Sequence, residues 1–325
     1  MRHFSTFGLT IAANGDIPQL PHAHGDGACD FSVWLGERPS VAETCEVFPP
    51  LSNPSARVDH PCRSTWYPAT GMVHLAYRDG CEFHISADGR QVWANWPPTM
   101  TVEDMVTYLL GPVMGFLLRL HGLFPLHASA VAIDDFAICL MGPAGAGKST
   151  TAAAFALAGY PVLADDVSAL EPISGGYLVR PAYPHLRLWP ESADILFGDR
   201  RALAPITPNW DKLDLPLAEE NRFHTGALRL AALYLLDSRS EEATCPAIAS
   251  VSGADQLVAL VANTYRNDLL DAAAQAKTFE TLAHLTQCVA MRRVTPHTDP
   301  ARLPTMCERI AADARRVRAR ESERG

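Results

Sequence analysis

The chain has 325 residues, 48% of them hydrophobic and 19% charged, with a formal net charge of -9. That length holds two ordinary domains or one large one, with material for a sizeable buried core, and the composition excludes large-scale disorder. The acidic balance predicts no nucleic-acid partner and no anionic membrane surface, because a footprint on phosphate needs clustered Lys and Arg. The one basic cluster, RRVRARESER (Arg315 to Arg324), reads as a solvated helix end. Eight scattered cysteines without a CxxC pair suit a reducing cytoplasm better than a zinc or disulfide framework.

From the start of the chain, MRHFSTFGLTIAANGDIPQLP lacks the basic-then-apolar layout of a signal peptide, which also suits a cytoplasmic location. Residues up to about Pro98 read as β-rich. The stretch VHLAYRDGCEFHISADGRQVWAN (Val73 to Asn95) alternates apolar and polar residues, with turn chemistry at Arg78-Asp79-Gly80 and Asp88-Gly89, and predicts a three-stranded meander. PQLPHAHGDGACD and FPPLSNPSARVDHP read as loops. His22-Ala23-His24-Gly25-Asp26 has the look of a metal site but no further ligands in register, so a plain loop is the expectation.

Thr101 opens a helix that runs to about His121, capped by Thr101, with Glu103 and Asp104 at its positive end and a kink at Pro112. The long apolar run Met105 to Phe124 is broken by Gly111-Pro112 and carries Arg119 and His121, so it predicts a buried helix and not a membrane span. Then the character changes. HASAVAI and FAICLM read as strands joined at Asp134-Asp135, and strands and helices alternate thereafter as in α/β folds. A strand is expected at Leu228 to Asp237, helices at Ala254 to Ala262 and Leu269 to Leu285, a short strand near Val289 to Val294 and a last helix from Pro304.

Gly142-Pro143-Ala144-Gly145-Ala146-Gly147-Lys148-Ser149 matches G-x-x-x-x-G-K-[ST] in full, between a strand and the helix that starts at Ser149-Thr150. Such a loop aims successive backbone N–H groups and a helix N-terminus at a polyphosphate, with Lys148 on its outer phosphates and the Ser149 hydroxyl on Mg²⁺. The nucleotide expected is ATP. After the helix, PVLADD forms a strand that ends in Asp165 and Asp166. One carboxylate there suits Mg²⁺; a second is surplus for hydrolysis but suits a kinase, which needs a group to orient an acceptor hydroxyl and take its proton. The alternative is that the second aspartate caps the turn that follows.

Together LHASAVAI, GPAGAGKST and GYPVLADD resemble the C-terminal catalytic domain of the HPr kinase/phosphorylase family. The resemblance covers roughly Leu126 to Pro190. It implies active-site roles for His127 and Asp166, the latter as base, with Asp165 beside them and a metal held by Ser149 and a downstream Glu, here Glu191. The chain departs from that family in having Thr150 after Lys148-Ser149, where the family has Glu, and in lacking a recognisable later substrate-docking loop. VRPAYPHLRLWPES (Val179 to Ser192) and FGLTIAANGDIPQLP resemble instead a divergent branch that includes kinases of the C-terminal serine of lasso-peptide precursors. Arg180, Arg187 and Lys212 are candidates there to clamp phosphates, with a solvated surface role as the alternative.

The expectation is thus an α/β fold: a β-rich region over residues 1–100, and a P-loop domain of the HPr kinase type with C-terminal helices over 101–325. The expected activity is transfer of phosphate from Mg-ATP to a serine on a peptide or protein, in a chain that can form a homo-oligomer. The alternatives are an HPr-type kinase/phosphorylase, an ATPase or GTPase switch, and a nucleotide-binding maturation protein without phosphotransfer.

Overall fold

The computed structural model describes residues 1–23, 28–40, 62–198, 203–218, 221–265 and 272–323. His24 to Asp26, the expected loop at 48–61, Cys45 and the first residues of the helix expected from Leu269 lie outside them. The chain divides into two units, Met1–His121 with Thr207–Trp210, and Gly122–Ile206 with Asp211–Gly325. The helical segment 101–121, grouped by the sequence reading with the catalytic domain, thus belongs to the first unit.

In the first unit the described strands are β1 (Arg2–Thr6), β2 (Leu9–Ala13), β3 (Phe31–Leu35), β4 (Arg63–Tyr67), β5 (Met72–Ala76), β6 (Glu82–Ser86) and β7 (Gln91–Asn95). They form one sheet in the order β1-β2-β3-β7-β6-β5-β4. The meander is present as β5, β6 and β7, paired antiparallel. Alternation works as pattern reasoning requires: Phe83 and Ile85 are fully buried on one face of β6, and Leu75, Val92 and Ala94 extend that face across its neighbours. Helix α1 (Val102–Tyr108) starts with a complete capping box between Thr101 and Asp104. Pro112 cannot donate to the helical ladder, so α1 passes through a π-helical turn, Leu109–Val113, before α2 (Met114–Leu120). Met105, Leu109, Val113 and Leu117, spaced by four, are all buried. No helix of the described residues is long and apolar enough to cross a membrane.

The second unit begins with β8 (Phe124–Leu126), β9 (Ala128–Ile133) and β10 (Phe136–Met141), then α3 (Lys148–Leu157) and β11 (Val162–Ala164). Next come β12 (Ser168–Ile173), β13 (Gly176–Arg180), β14 (His185–Leu188), α4 (Pro190–Phe197), β15 (Ala204–Thr207) and β16 (Trp210–Pro216). The chain closes with β17 (Leu228–Leu236), β18 (Ala247–Val251), α5 (Ala254–Ala262), α6 (Ala272–Cys288), β19 (Ala290–Thr295) and α7 (Leu303–Ser322). The main sheet runs β11-β9-β10-β17-β13-β12-β8, with β19 also on β17 and β18 on β19. It is mixed: β10 and β19 lie parallel to β17, and β9 antiparallel to β10 and β11.

Every residue of β9 and β10 is buried, which explains their unbroken apolar runs. Val131, Ile138, Leu140 and Tyr234 meet Ala152, Phe155 and Ala156 of α3 and Ile310, Ala314 and Val317 of α7 in one core. The small alanines let α3 approach the sheet closely. Of the basic cluster, Arg315 forks onto Asp134 in the β9–β10 turn at 2.8 and 3.0 Å. Both groups are about half exposed, so the pair adds little to stability.

Candidate active site

Sheet topology gathers the predicted residues at one edge. Because β9 runs antiparallel to both β10 and β11, its first residues lie beside the last residues of each: Ala128 pairs with Met141, and Ala130 with Ala164. His127 precedes β9, the glycine-rich loop follows β10, and the aspartate pair follows β11. All therefore meet at the C-terminal ends of β10 and β11, where α/β sheets commonly bind ligands.

The loop is tightly specified. Gly142 has φ +147°, and a Cβ there would come within 2.8 Å of the Leu236 carbonyl oxygen. Only glycine fits so close to the end of β17. Its N–H donates to Asn263 Oδ1 at 3.0 Å. Gly147 enters α3 in the left-handed region at φ +95°. Pro143, Ala144 and Gly145 are exposed, Ala146 and Gly147 partly so. Lys148 is buried, and its ammonium folds back onto the carbonyls of Gly142 (2.8 Å) and Pro143 (3.3 Å). Burial pulls its pKa below the ordinary lysine value, against the opposing charges of Asp166 and Asp165.

The two adjacent aspartates face different partners. Asp165 is buried; its Oδ1 accepts from Ser129 Oγ (2.6 Å) and Ser149 Oγ (2.9 Å), and its Oδ2 from the Arg187 backbone N–H (3.3 Å). Asp165 is thereby bound to the first turn of α3. Ser129 is fully buried, so Ser129→Ala removes a hydrogen bond of the carboxylate class, worth roughly 1.5–3 kcal/mol. Urea unfolding of that variant should show a loss of this size, and an unchanged midpoint would contradict the contact.

Asp166 sits at φ +66°, and Val167 N–H closes on the Asp165 carbonyl at 2.7 Å across it, forming a γ-turn of the uncommon positive-φ kind. Such strain persists only where the surroundings hold it, and it concentrates at functional positions. The Asp166 carboxylate lies 3.3 Å from His127 Nδ1 and also accepts from the Tyr265 hydroxyl. That phenol lies 2.9 Å from the same Nδ1. His127 and Tyr265 thus both converge on the Asp166 carboxylate.

Burial alone would raise the Asp166 pKa, but the hydrogen bond and charge of His127, with Lys212 and Arg187 beyond, outweigh it and hold the carboxyl well below the usual carboxylate range. A depressed folded pKa contributes stability that is full above the unfolded value of about 3.9 and is lost as pH falls toward the folded one. The stability gap between wild type and Asp166→Asn should thus narrow as pH drops below about 4 in urea titrations. A constant gap would contradict the ion pair.

Arg187 and Lys212 belong to this electrostatic environment, with Lys212 Nζ 5.2 Å from the centre of the Trp189 ring. Arg180 is instead paired with Glu171 at 2.7 Å. Glu191 is exposed in the first turn of α4; its neighbour Ser192 bonds Thr150 Oγ1 at 2.8 Å.

Two residues enter that sequence reasoning did not find. Asn263, at the end of α5, accepts from Gly142 through its side chain and from His127 N–H through its backbone carbonyl (2.7 Å), tying the loop to the histidine. Tyr265 follows two residues later. Each lies more than 100 residues from the group it supports, and no local pattern marks either.

Beside the loop lies a cavity of about 90 Å³, lined among others by Ala146, Gly147, Thr150, Arg239, His297 and Asp299. It opens at the ends of β17 and β19, the strands parallel to β10.

No family model matches the chain, and no curated protein does. Among solved structures it is similar to the Hpr(Ser) kinase/phosphatase from Coxiella burnetii, at 12% identity over 61% of this chain and 98% of that one, with a TM-score of 0.34. A likeness that low carries no weight for the site.

Proposed function

We propose that the second unit is a P-loop kinase that transfers the terminal phosphoryl group of Mg-ATP to a serine hydroxyl. The observation that carries this reading is the opposed setting of the two aspartates: Asp165 hydrogen-bonded to Ser149 Oγ, and Asp166 turned toward His127 and Tyr265. A hydrolase needs only the first of these arrangements.

The donor set fits the metal. Ser149 Oγ and Asp165 Oδ1 are hard oxygen ligands 2.9 Å apart beside the loop, the class that magnesium takes. Ser149 and Asp165 would hold the ion there, where it would neutralise charge on the phosphate oxygens. The loop N–H groups hold the phosphates, and Lys148 turns from its carbonyls toward them. Asp166 orients the acceptor hydroxyl and receives its proton. In a loose transition state the nucleophile is little bonded, so its proton moves late. His127 and Tyr265 hold the carboxylate in place. Arg239, which lines the cavity beside Gly147, has its Nη2 only 3.7 Å from where a Cβ on Gly147 would lie and is thus close to the phosphates.

For the acceptor we favour a serine near the free end of a small peptide. The sequence resemblance of Val179 to Ser192 points there, and the docking loop expected for HPr is not recognised. Mass spectrometry of a serine-ending peptide after incubation with the enzyme, Mg²⁺ and ATP tests this. An added phosphate of about 80 Da on serine, absent when that serine is alanine, is expected. Modification of HPr or a small alcohol in its place would keep the kinase and overturn the peptide.

A further inference from the structure

The sheet of the first unit holds a polar cluster that phosphoryl transfer does not use. In the β5–β6 hairpin His74 lies directly opposite His84, and alternation puts Glu82 on the same face. Both imidazoles are buried, at 3% and 2% exposure, and stack with centroids 4.3 Å apart. His74 Nε2 is 3.2 Å from Glu82 Oε2, while Glu82 Oε1 is paired with Arg38. His84 is the anomaly. Neither of its ring nitrogens has a hydrogen-bond partner, although buried polar groups are ordinarily satisfied.

We propose that His74, Glu82 and His84 bind a divalent transition-metal cation of the zinc class. One donor atom from each lies within 4.8 Å of the other two. Two imidazoles and a carboxylate are a donor set that zinc takes with a fourth position left open to water or a ligand. Tetrahedral bonds of about 2.0–2.2 Å set donors roughly 3.4 Å apart. The His74–Glu82 pair is already at 3.2 Å, so mainly the His84 ring has to turn. Arg38 is more than half exposed and occupies the other carboxylate oxygen, leaving Oε2 to the cation.

The test is titration of chelator-stripped full-length protein with Co²⁺, read by its visible absorption, and with Zn²⁺ against a chromophoric chelator. One equivalent per chain with tetrahedral cobalt bands is expected, together with a zinc-dependent rise in melting temperature. His84→Phe and Glu82→Gln should each lose that equivalent or bind it at least tenfold more weakly, and lose the melting shift. His84→Phe removes two unsatisfied nitrogens and so retains the fold; should it fail to fold, Glu82→Gln decides. No stoichiometric uptake by wild type, or uptake unchanged in the folded variants, overturns the site.

Discussion

Asp166→Asn is expected to keep Mg-ATP binding while its transfer to serine falls by about 10²–10⁴-fold, the range for loss of a positioned proton acceptor. Asparagine has nearly the same shape, tolerates the left-handed backbone at this position and can still accept from the Tyr265 hydroxyl. What it cannot do is take a proton. The loss should therefore fall on kcat with KM for ATP little changed. Asp165→Asn provides the contrast. That side chain is hydrogen-bonded by Ser149, Ser129 and the Arg187 backbone, so its substitution should weaken magnesium-dependent nucleotide binding first. Steady-state kinetics with nucleotide titration separates the two. Equal loss of nucleotide binding in both variants would contradict the division of roles.

Lys148→Ala should reduce transfer by at least about 10²–10³-fold, as removal of a preorganised charge-stabilising donor does elsewhere. The ammonium rests on two carbonyls of its own loop, so the variant loses polar contacts within that loop and should fold. Of the two carbonyls, that of Pro143 belongs to an exposed residue where water can replace the lost donor, while Gly142 is buried. Nucleotide affinity should fall too, because the outer phosphates lose their counter-charge. Calorimetric titration with ATP, beside a circular dichroism spectrum, checks both points. Wild-type transfer by a folded Lys148→Ala protein would remove the loop from the mechanism.

The parts of the site legible in the sequence are those that lie together along it. Strand, loop, helix, strand and aspartate pair run from Phe136 to Asp166, and each carries its own local signal: apolar strands, obligatory glycines and a full loop motif. The meander and the capped, kinked helix were legible for the same reason. Other features are set by tertiary register and leave no local trace. Ser129 reaches Asp165 because β9 lies between β10 and β11. Asn263 and Tyr265 arrive from the end of α5, and His74 meets His84 only because the hairpin register sets them opposite. The helical segment is buried at every position from Asp104 to Leu118 except Pro112, as its long apolar run suggests, but that run does not say which sheet receives it.

The most direct measurement is the fate of the terminal phosphoryl group of labelled ATP, counted in the same reaction as phosphoserine on a peptide and as inorganic phosphate. Wild type is predicted to place most of the label on serine, and Asp166→Asn to lose the serine product while still binding nucleotide. Release of label to water at one rate in both proteins, with or without peptide, would contradict the kinase and leave a nucleotide hydrolase.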